Sequence, residues 1–381
     1  MQNEKRKKKS KSNGQWLAII LFMLIGAACG VLILMYLEQA KKDGTGKNEY
    51  ILSFLLMFVG VYAAMFIQII LHEAGHLIFG LMTGYRFCSF RIFNLMWVRA
   101  EEHIRFRKLN IAGTGGQCLM IPPDLKDGKM PVMLYNFGGA IVNLITAVIC
   151  VGLSFLCPVR SLAWTILMIF AVIGLAFALM NGLPVKMGPV NNDGKNALDL
   201  SRSREATRAF WIQMKVNEQI SKGIRVKDMP DEWFTVPSDE AMKNGIVATV
   251  GVLACSRLMD LHLFGEADTL MKRLIAQENG IVGLYHSLMI CDRMYVEMIS
   301  ENRQEVLDGM RSKDQLKIMK AMRKYPSVLR TEYVYALLAE KDPEKAEKAL
   351  AQFCQCTKSY PYPCEIEGET ELIKLAEGLR S

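Results

Sequence analysis

Histidine is scarce in this chain, and the cysteines lack the spacing that marks a metal or disulfide framework. The 381 residues contain only five histidines, so few positions can supply an imidazole ligand. Three of the ten cysteines, Cys354, Cys356 and Cys364, cluster near the C-terminus, where a disulfide or metal clip would have to form. No paired CxxC spacing supports such a clip, and we expect free thiols in a reducing compartment.

The C-terminal half also lacks an excess of basic residues, which excludes a basic nucleic-acid-binding domain. Residues 1–194 hold 19 Lys and Arg against 10 Asp and Glu, whereas residues 195–381 hold 27 against 28. The basic run at residues 5–11 directly precedes an apolar segment, so we interpret it as the cytoplasmic flank of a membrane span. We therefore predict no nucleic-acid partner.

Apolar sequence, by contrast, is abundant: 51% of the residues are hydrophobic. Four segments are long enough to cross a bilayer. They cover about residues 16–37, 51–81, 132–156 and 162–183. The first follows a basic leader, but its apolar core is longer than that of a signal peptide and no clear cleavage site follows. We therefore predict an α-helical polytopic membrane protein in a lipid bilayer.

Basic residues in the connections predict how these spans are oriented. Six basic residues precede the first span, eight lie in the loop 84–130, and Arg160 alone lies between the third and fourth spans. Because positive residues accumulate on the cytoplasmic side, we predict that both termini and the loop 84–130 are cytoplasmic.

Two further regions lie outside the spans. Residues 85–114 alternate apolar and polar side chains in places, which predicts two or three short strands at the membrane surface. After about residue 194 the pattern is that of amphipathic helices. The predicted domains are a basic cytoplasmic tail (1–15), a transmembrane domain that includes the surface β region (16–199), and a cytoplasmic helical domain (200–381).

The helical domain contains three similar segments. They begin at Leu263, Ile299 and Ala339, a recurrence of roughly 36–40 residues, and each resembles the second helix of a helical hairpin. This spacing is typical of stacked hairpin repeats such as tetratricopeptide (TPR) repeats. The signature aromatic and glycine positions are mostly missing, so an irregular all-α bundle fits about as well.

The residues with the clearest chemical meaning are His72-Glu73-Ala74-Gly75-His76, at the end of the second apolar run. Two histidines four residues apart lie on one face of a helix and can share a metal ion. A glutamate beside the first histidine is placed to accept a proton from a water molecule bound to that metal. Ionisable groups in an apolar segment are costly, so we expect them to be functional.

Zinc hydrolases usually supply three protein ligands, so a third ligand is needed. The best candidate is Asp193, in a Pro- and Gly-broken stretch that follows the fourth span. The second and fourth predicted spans run in the same direction, so Asp193 and the histidines end on the same side. An ordinary turn at Asn192-Asp193-Gly194 explains the local sequence equally well.

Taken together, these residues resemble the site-2 protease family of intramembrane zinc metalloproteases, whose members carry HExxH in one core span. His72, Glu73 and His76 match that motif, and Asn181, Pro184, Asp193 and Gly194 match the later Asn-x-x-Pro and Asp-Gly elements. Residues 138–143 resemble the Gly-Pro-x-x-x-Asn sequence of the middle span, with alanine in place of proline. The stretch between Pro184 and Asp193 is longer than in the best-known members and fits a divergent bacterial branch. The resemblance covers about residues 50–200.

The resemblance implies a role for each matched residue. His72, His76 and Asp193 would bind one zinc ion per chain, and Glu73 would pass a proton from the attacking water to the leaving amine. Asn143 and Asn181 would bind substrate or the oxyanion, or simply join helices. The implied activity is hydrolysis of peptide bonds in membrane-embedded or membrane-adjacent substrates, in a bacterial cell membrane, with the helical domain recruiting substrate or a protein partner.

Two other classes of function remain open at this point. A non-proteolytic membrane receptor or assembly factor could act through the helical domain, but a binding-only metal site has no need for Glu73. A metal transporter would spread its ligands along a path across several spans, whereas the candidate ligands here gather at one depth.

Overall fold

The computed structural model describes residues 2–100, 103–109, 115–185 and 191–379, with the side chains of residues 2–18 and 100 excepted. The chain is mostly helical and contains one small antiparallel sheet. Its contacts divide it into two compact units: Met1–Arg86 with Pro131–Arg202, and Phe87–Met130 with Ser203–Ser381.

The first unit is entirely helical in its described part. Its helices are α1 (Gln2–Lys42), α2 (Lys47–Met82), α3 (Met133–Ser154), α4 (Leu162–Gly182) and α5 (Asp193–Arg202). Four stretches are long and apolar enough to cross a membrane, namely Ile19–Lys42, Lys47–Met82, Met133–Ser154 and Leu162–Gly182. The prediction of four helices of spanning length is confirmed. Helix α1 also includes the basic run at residues 5–11.

Helix α2 carries one buried face along most of its length. At a rise of about 1.5 Å per residue it is roughly 54 Å long, well beyond the apolar thickness of a bilayer. Six of its eight buried positions recur at four or seven residues along one helix face, and Glu73 and Gly75 widen that face next to the histidines. The eight positions are Met57, Ala64, Gln68, His72, Glu73, Gly75, His76 and Gly80. This face packs against α3 and α4.

Glycine brings α2 and α3 together near the histidines. A Cβ atom placed on Gly75 would lie 2.3 Å from the carbonyl oxygen of Gly138, and one on Gly138 would lie 2.5 Å from that of Gly75. Backbones can approach this closely only where side chains are absent, as at the small-residue crossings of membrane helices. The crossing fixes His72 and His76 against α3.

The second unit contains a four-stranded sheet with the order β3-β2-β1-β4. Its strands are β1 (Arg86–Ile92), β2 (Leu95–Ala100), β3 (His103–Lys108) and β4 (Gly116–Ile121). Strands β1 and β2 form a tight antiparallel hairpin in which Ile92 pairs with Leu95, and β2 pairs antiparallel with β3. The sequence predicted two or three strands within residues 85–114, and β4 beyond that region was missed.

The sheet is tied by its contacts to the C-terminal helices. Met96, Val98 and Leu109 are buried against Tyr360 and Tyr362, which lie just before the last helix. The strands were predicted from the sequence to belong to the transmembrane domain (16–199), whose spans are their neighbours in the chain. Their apolar face is instead buried within the second unit.

Nine α-helices complete the second unit in its described part, together with short 3-10 helices at Val226–Asp228, Asp231–Trp233 and Ala241–Lys243 and a π-helical segment at Tyr335–Ala339. The α-helices are α6 (Arg204–Ser221), α7 (Gly245–Asp260), α8 (Phe264–Ala276), α9 (Gly283–Ile299), α10 (Gln304–Met310), α11 (Lys313–Ala321), α12 (Pro326–Val334), α13 (Pro343–Thr357) and α14 (Pro363–Glu377). Each of the three segments predicted as second helices of hairpins contains or leads into a helix, α8, α10 or α13. Each of these helices contacts the preceding one, α7, α9 or α12. One core runs from Met242 to Ala376.

Candidate metal site

Two histidines of α2 and one aspartate of α5 converge in the first unit. The Nε2 atom of His72 lies 3.0 Å from Asp193 Oδ2, and that of His76 lies 3.4 Å from the same oxygen. The two Nε2 atoms are 3.2 Å apart. Both histidines are 8% exposed. Residues 121 positions apart in the chain therefore meet at one point.

The spacing of these three atoms fits a small tetrahedral metal ion. With zinc–ligand bonds of about 2.0–2.1 Å, two donors at a tetrahedral angle lie about 3.3 Å apart. The three observed separations are 3.0, 3.2 and 3.4 Å. Two imidazoles and one carboxylate also form a donor set that zinc accepts, with a fourth position left for water or substrate.

Hydrogen bonds to the opposite ring nitrogens present both Nε2 atoms to the site. His76 Nδ1 lies 2.7 Å from the carbonyl oxygen of Tyr135, and His72 Nδ1 lies 2.7 Å from Asn143 Oδ1. A backbone carbonyl only accepts, so Nδ1 of His76 carries a hydrogen, and in the neutral ring Nε2 then offers its lone pair to a metal. Such partners orient metal-binding histidines and fix their tautomer.

A buried chain of amides dictates the same tautomer for His72. Gln68 Nε2 donates to the carbonyl oxygen of Phe170 (3.2 Å), which leaves Gln68 Oε1 to accept from Asn143 Nδ2 (2.6 Å). Asn143 must then turn its Oδ1 atom toward His72, and an amide oxygen can only accept. His72 therefore donates from Nδ1. Gln68 was not predicted from the sequence; it is fully buried on the same helix face, one turn before His72.

Asn192 fixes the position of Asp193 through hydrogen bonds to the end of α4 and the start of α5. Its Oδ1 atom accepts from the backbone N–H of Lys195 (2.9 Å), which caps the first turn of α5. Its Nδ2 atom donates to the carbonyl oxygens of Met180 (2.6 Å) and Leu183 (2.5 Å) at the end of α4. One side chain thus joins two helix ends and sets the first residue of α5. This residue was not singled out from sequence, where Asn-Asp-Gly reads as a turn.

Small residues leave room for the ligands. A Cβ atom on Gly139 would lie 2.4 Å from His72 Cε1, and one on Gly194 would lie 2.2 Å from the carbonyl oxygen of Gly182. A Cβ atom on Gly174 would lie 2.7 Å from Gln68 Nε2. Gly194 therefore allows α5 to approach α4, and the other two glycines make space for the polar chain.

The remaining residues predicted from the sequence differ in their burial and in their hydrogen-bond partners. Glu73 is 8% exposed and follows His72 on α2. Asn143 is fully buried and contacts His72, which makes it a positioning residue for a ligand. Asn181 donates to the carbonyl oxygen of Phe177 in its own helix (3.0 Å). Pro184 is exposed just after α4 ends, and residues 186–190 of the same stretch lie outside the described residues.

Comparison with known proteins gives no further guide to this site. No family profile matches the chain, and neither a curated protein nor a solved structure is similar enough to count as a match.

Proposed function

We propose that this chain is an intramembrane zinc metalloendopeptidase of the site-2 protease type. The observation that carries the proposal is the convergence of His72 Nε2, His76 Nε2 and Asp193 Oδ2 at 3.0–3.4 Å, with both Nδ1 atoms held by acceptors. The intact Glu73 beside this cluster favours hydrolysis over simple metal storage, because storage needs no proton carrier.

In the proposed hydrolysis, the three ligands hold the metal ion and Glu73 transfers the proton. A zinc ion held by His72, His76 and Asp193 would act as a Lewis acid and make hydroxide accessible near neutral pH. Glu73 accepts the proton of the attacking water and donates it to the leaving amine. Asn143 keeps His72 in the metal-binding tautomer, and the burial of both histidines excludes bulk water from the ligands.

The membrane setting follows from the helices that carry the site. Both histidines lie on α2, whose length and composition suit a membrane span, and Asp193 follows α4, another such helix. We propose that four helices cross a bacterial cell membrane, that both termini are cytoplasmic, and that the substrate is a membrane-embedded or membrane-adjacent polypeptide. The paired helices of the second unit would form a TPR-like surface that recruits substrate or a protein partner.

The proposal is tested with the full chain purified in detergent. We expect about one zinc per chain in the wild type and in Glu73→Gln, and cleavage of fluorescein-labelled β-casein only in the wild type. Glu49→Gln, on the exposed first turn of the same helix, should keep both properties. Cleavage by Glu73→Gln at the parental rate would exclude the proposed role of Glu73 in proton transfer.

Zinc content separates the remaining function classes. Asp193→Ala should lower the bound zinc, whereas Asp199→Asn, on the same helix but paired with Lys195, should not. A wild-type protein without stoichiometric metal would instead favour a receptor or assembly factor that acts through its helical domain.

A further inference from the structure

The second unit contains a cavity that takes no part in the proposed hydrolysis. Its volume is about 340 Å³, within the range of small-ligand sites. Helices α7, α9 and α14 each turn one face toward it. On α14 the lining residues recur at the three- and four-residue spacing of a single helix face, and they are Cys364, Glu365, Gly368, Glu369 and Leu372.

Acidic side chains dominate the polar part of this cavity wall. Four carboxylates line it, and the basic residues among the described lining are Arg225 and His262. The carboxylates are those of Asp260, Asp292, Glu365 and Glu369. An anionic ligand would meet repulsion from most of this wall.

The neighbouring guanidinium groups do not neutralise all the carboxylates of the wall, because each guanidinium group contacts two carboxylates. Arg330 is 1% exposed and binds Asp292 through Nη2 and Glu369 through Nε, the latter at 2.8 Å. Arg225 contacts Asp260 and also Glu371. Lys227 and His262 also approach Glu371, which does not line the cavity. Within the wall, Arg330 alone serves both Asp292 and Glu369, so the carboxylates outnumber the guanidinium groups that contact them.

Glu365 is the carboxylate with the weakest compensation. Its Oε2 atom accepts a hydrogen bond from Tyr360 Oη at 2.6 Å, and no ion pair involves it among the described residues. Burial, with a smaller contribution from the charge of Glu369, raises the pKa of Glu365 to about 7. The group is therefore ionised only in part near neutrality, and an incoming cation would supply the counter-charge that the protein does not.

The rest of the wall is apolar and aromatic. Met259, Leu288 and Leu372 contribute aliphatic surface, and Tyr285, Tyr325 and Tyr360 contribute rings. Aromatic rings attract a cation over their faces, and aliphatic surface favours a hydrocarbon chain. This combination selects a ligand that has a charged end and an apolar stem.

We propose that this cavity binds an ammonium group carried on an apolar chain, with the carboxylate of Glu365 as its counter-ion. Two sources share this chemistry: the lysine side chain of a polypeptide and a free alkylamine. The site is separate from the metal ligands and does not depend on hydrolysis.

The test is isothermal titration calorimetry on the full chain in detergent at pH 8, where Glu365 is ionised. The probes are N-acetyl-lysine methylamide and n-butylamine, each paired with a neutral counterpart, N-acetyl-norleucine methylamide or n-butanol. We expect at least one ammonium probe to bind about tenfold more tightly than its neutral counterpart, since one lost charge-assisted contact corresponds to roughly that factor. Equal affinities within both pairs would overturn the proposal.

Variants of α14 assign the binding to this cavity. Glu365→Gln keeps an acceptor for Tyr360 but removes the charge, and we expect it to abolish the preference for ammonium. Glu367→Gln, on the exposed side of the same helix, should bind as the wild type does. An unchanged preference in Glu365→Gln would also overturn the assignment. Tighter binding of the lysine probe than of butylamine would identify a polypeptide as the ligand, and the reverse order would identify a free amine.

Discussion

At the level of single residues, the acceptors on the Nδ1 side of the two histidines decide how the metal ligands are presented. His76 faces a backbone carbonyl, which mutation of a side chain cannot remove. His72 faces Asn143, and so its orientation depends on one replaceable amide. The two ligands should therefore differ in their sensitivity to substitution around them.

Replacing Asn143 with leucine should weaken zinc binding without abolishing it. The substitution removes the acceptor of His72 Nδ1 and leaves Gln68 Oε1 without its donor. Loss of such an orienting partner typically costs about 10–100-fold in metal affinity. Competition with a fluorescent zinc chelator measures the change. Asn181→Leu removes an asparagine that bonds only within its own helix in the described contacts, and an equal loss there would contradict the assignment.

Gln68 should show a smaller effect in the same assay. Gln68→Met keeps the length of the side chain but removes the Oε1 acceptor of Asn143 Nδ2 and the bond from Nε2 to Phe170. The backbone oxygen of Gln68, 3.0 Å from Asn143 Nδ2, remains as an acceptor. The direction of the Asn143 amide then depends on that backbone oxygen alone, so only part of the population turns and presents Nδ2 to His72. We expect a loss of zinc affinity below that of Asn143→Leu, and a double variant no weaker than Asn143→Leu alone, because both act through one contact. Additive losses would show that Gln68 acts independently.

At the level of elements, the crossing of α2 and α3 sets the depth at which the histidines meet the rest of the site. Gly75→Ala places a Cβ atom 2.3 Å from the carbonyl oxygen of Gly138, so the helices must separate. We expect a lower thermal unfolding midpoint and a loss of bound zinc of at least tenfold. Gly60→Ala lies on the same helix with no atom within 4 Å of the added methyl, and it should behave as the wild type. Equal behaviour of the two variants would exclude a close crossing.

The elements that could be predicted from sequence are those with a strong periodic or apolar signal. The helices α1 to α4 follow from runs of apolar residues that nothing else explains, and His72 and His76 follow from their four-residue spacing. Strand β4 has no comparable signal, because six residues with a mixed pattern suit a loop as well as a strand. Gln68 and Asn192 were missed for a different reason. Their roles depend on atoms of α3, α4 and α5 that only the folded chain brings near.

At the level of the whole molecule, the two units differ in their buried polar groups, which are mainly amides near the candidate metal ligands in the first unit and carboxylates around the cavity in the second. Substitutions in one unit can therefore be tested without changing the polar groups of the other. In the first unit, the buried amides of Gln68 and Asn143 form a chain that ends at the candidate metal ligands. The second unit has charged side chains around its cavity, with Glu365 the least compensated among the four carboxylates described there. A titration of this glutamate should thus affect the stability of the second unit without changing the metal ligands.

The stability of the full chain should fall as pH rises through the range that separates the folded and unfolded pKa values of Glu365. The folded-state pKa is about 7, and the ordinary value is 4.5. Between these values the folded chain holds a proton that the unfolded chain releases, so raising the pH favours unfolding. The groups that act on this carboxyl are Tyr360, which donates to it, and Glu369, which repels it. One unit of pKa corresponds to about 1.4 kcal/mol, which limits the loss to roughly 3 kcal/mol.

Urea unfolding of the full chain in detergent, followed by near-UV circular dichroism, measures this loss at pH 5 and pH 8. Other groups also titrate, so the comparison is between the wild type and Glu365→Gln, which shares all of them. The free energy of unfolding should fall further in the wild type than in the variant, whereas Glu367→Gln should follow the wild type. Parallel changes in all three proteins would mean that the carboxyl of Glu365 is as well solvated in the folded chain as in the unfolded chain. The cavity would then lack the uncompensated charge that makes it selective for an ammonium group.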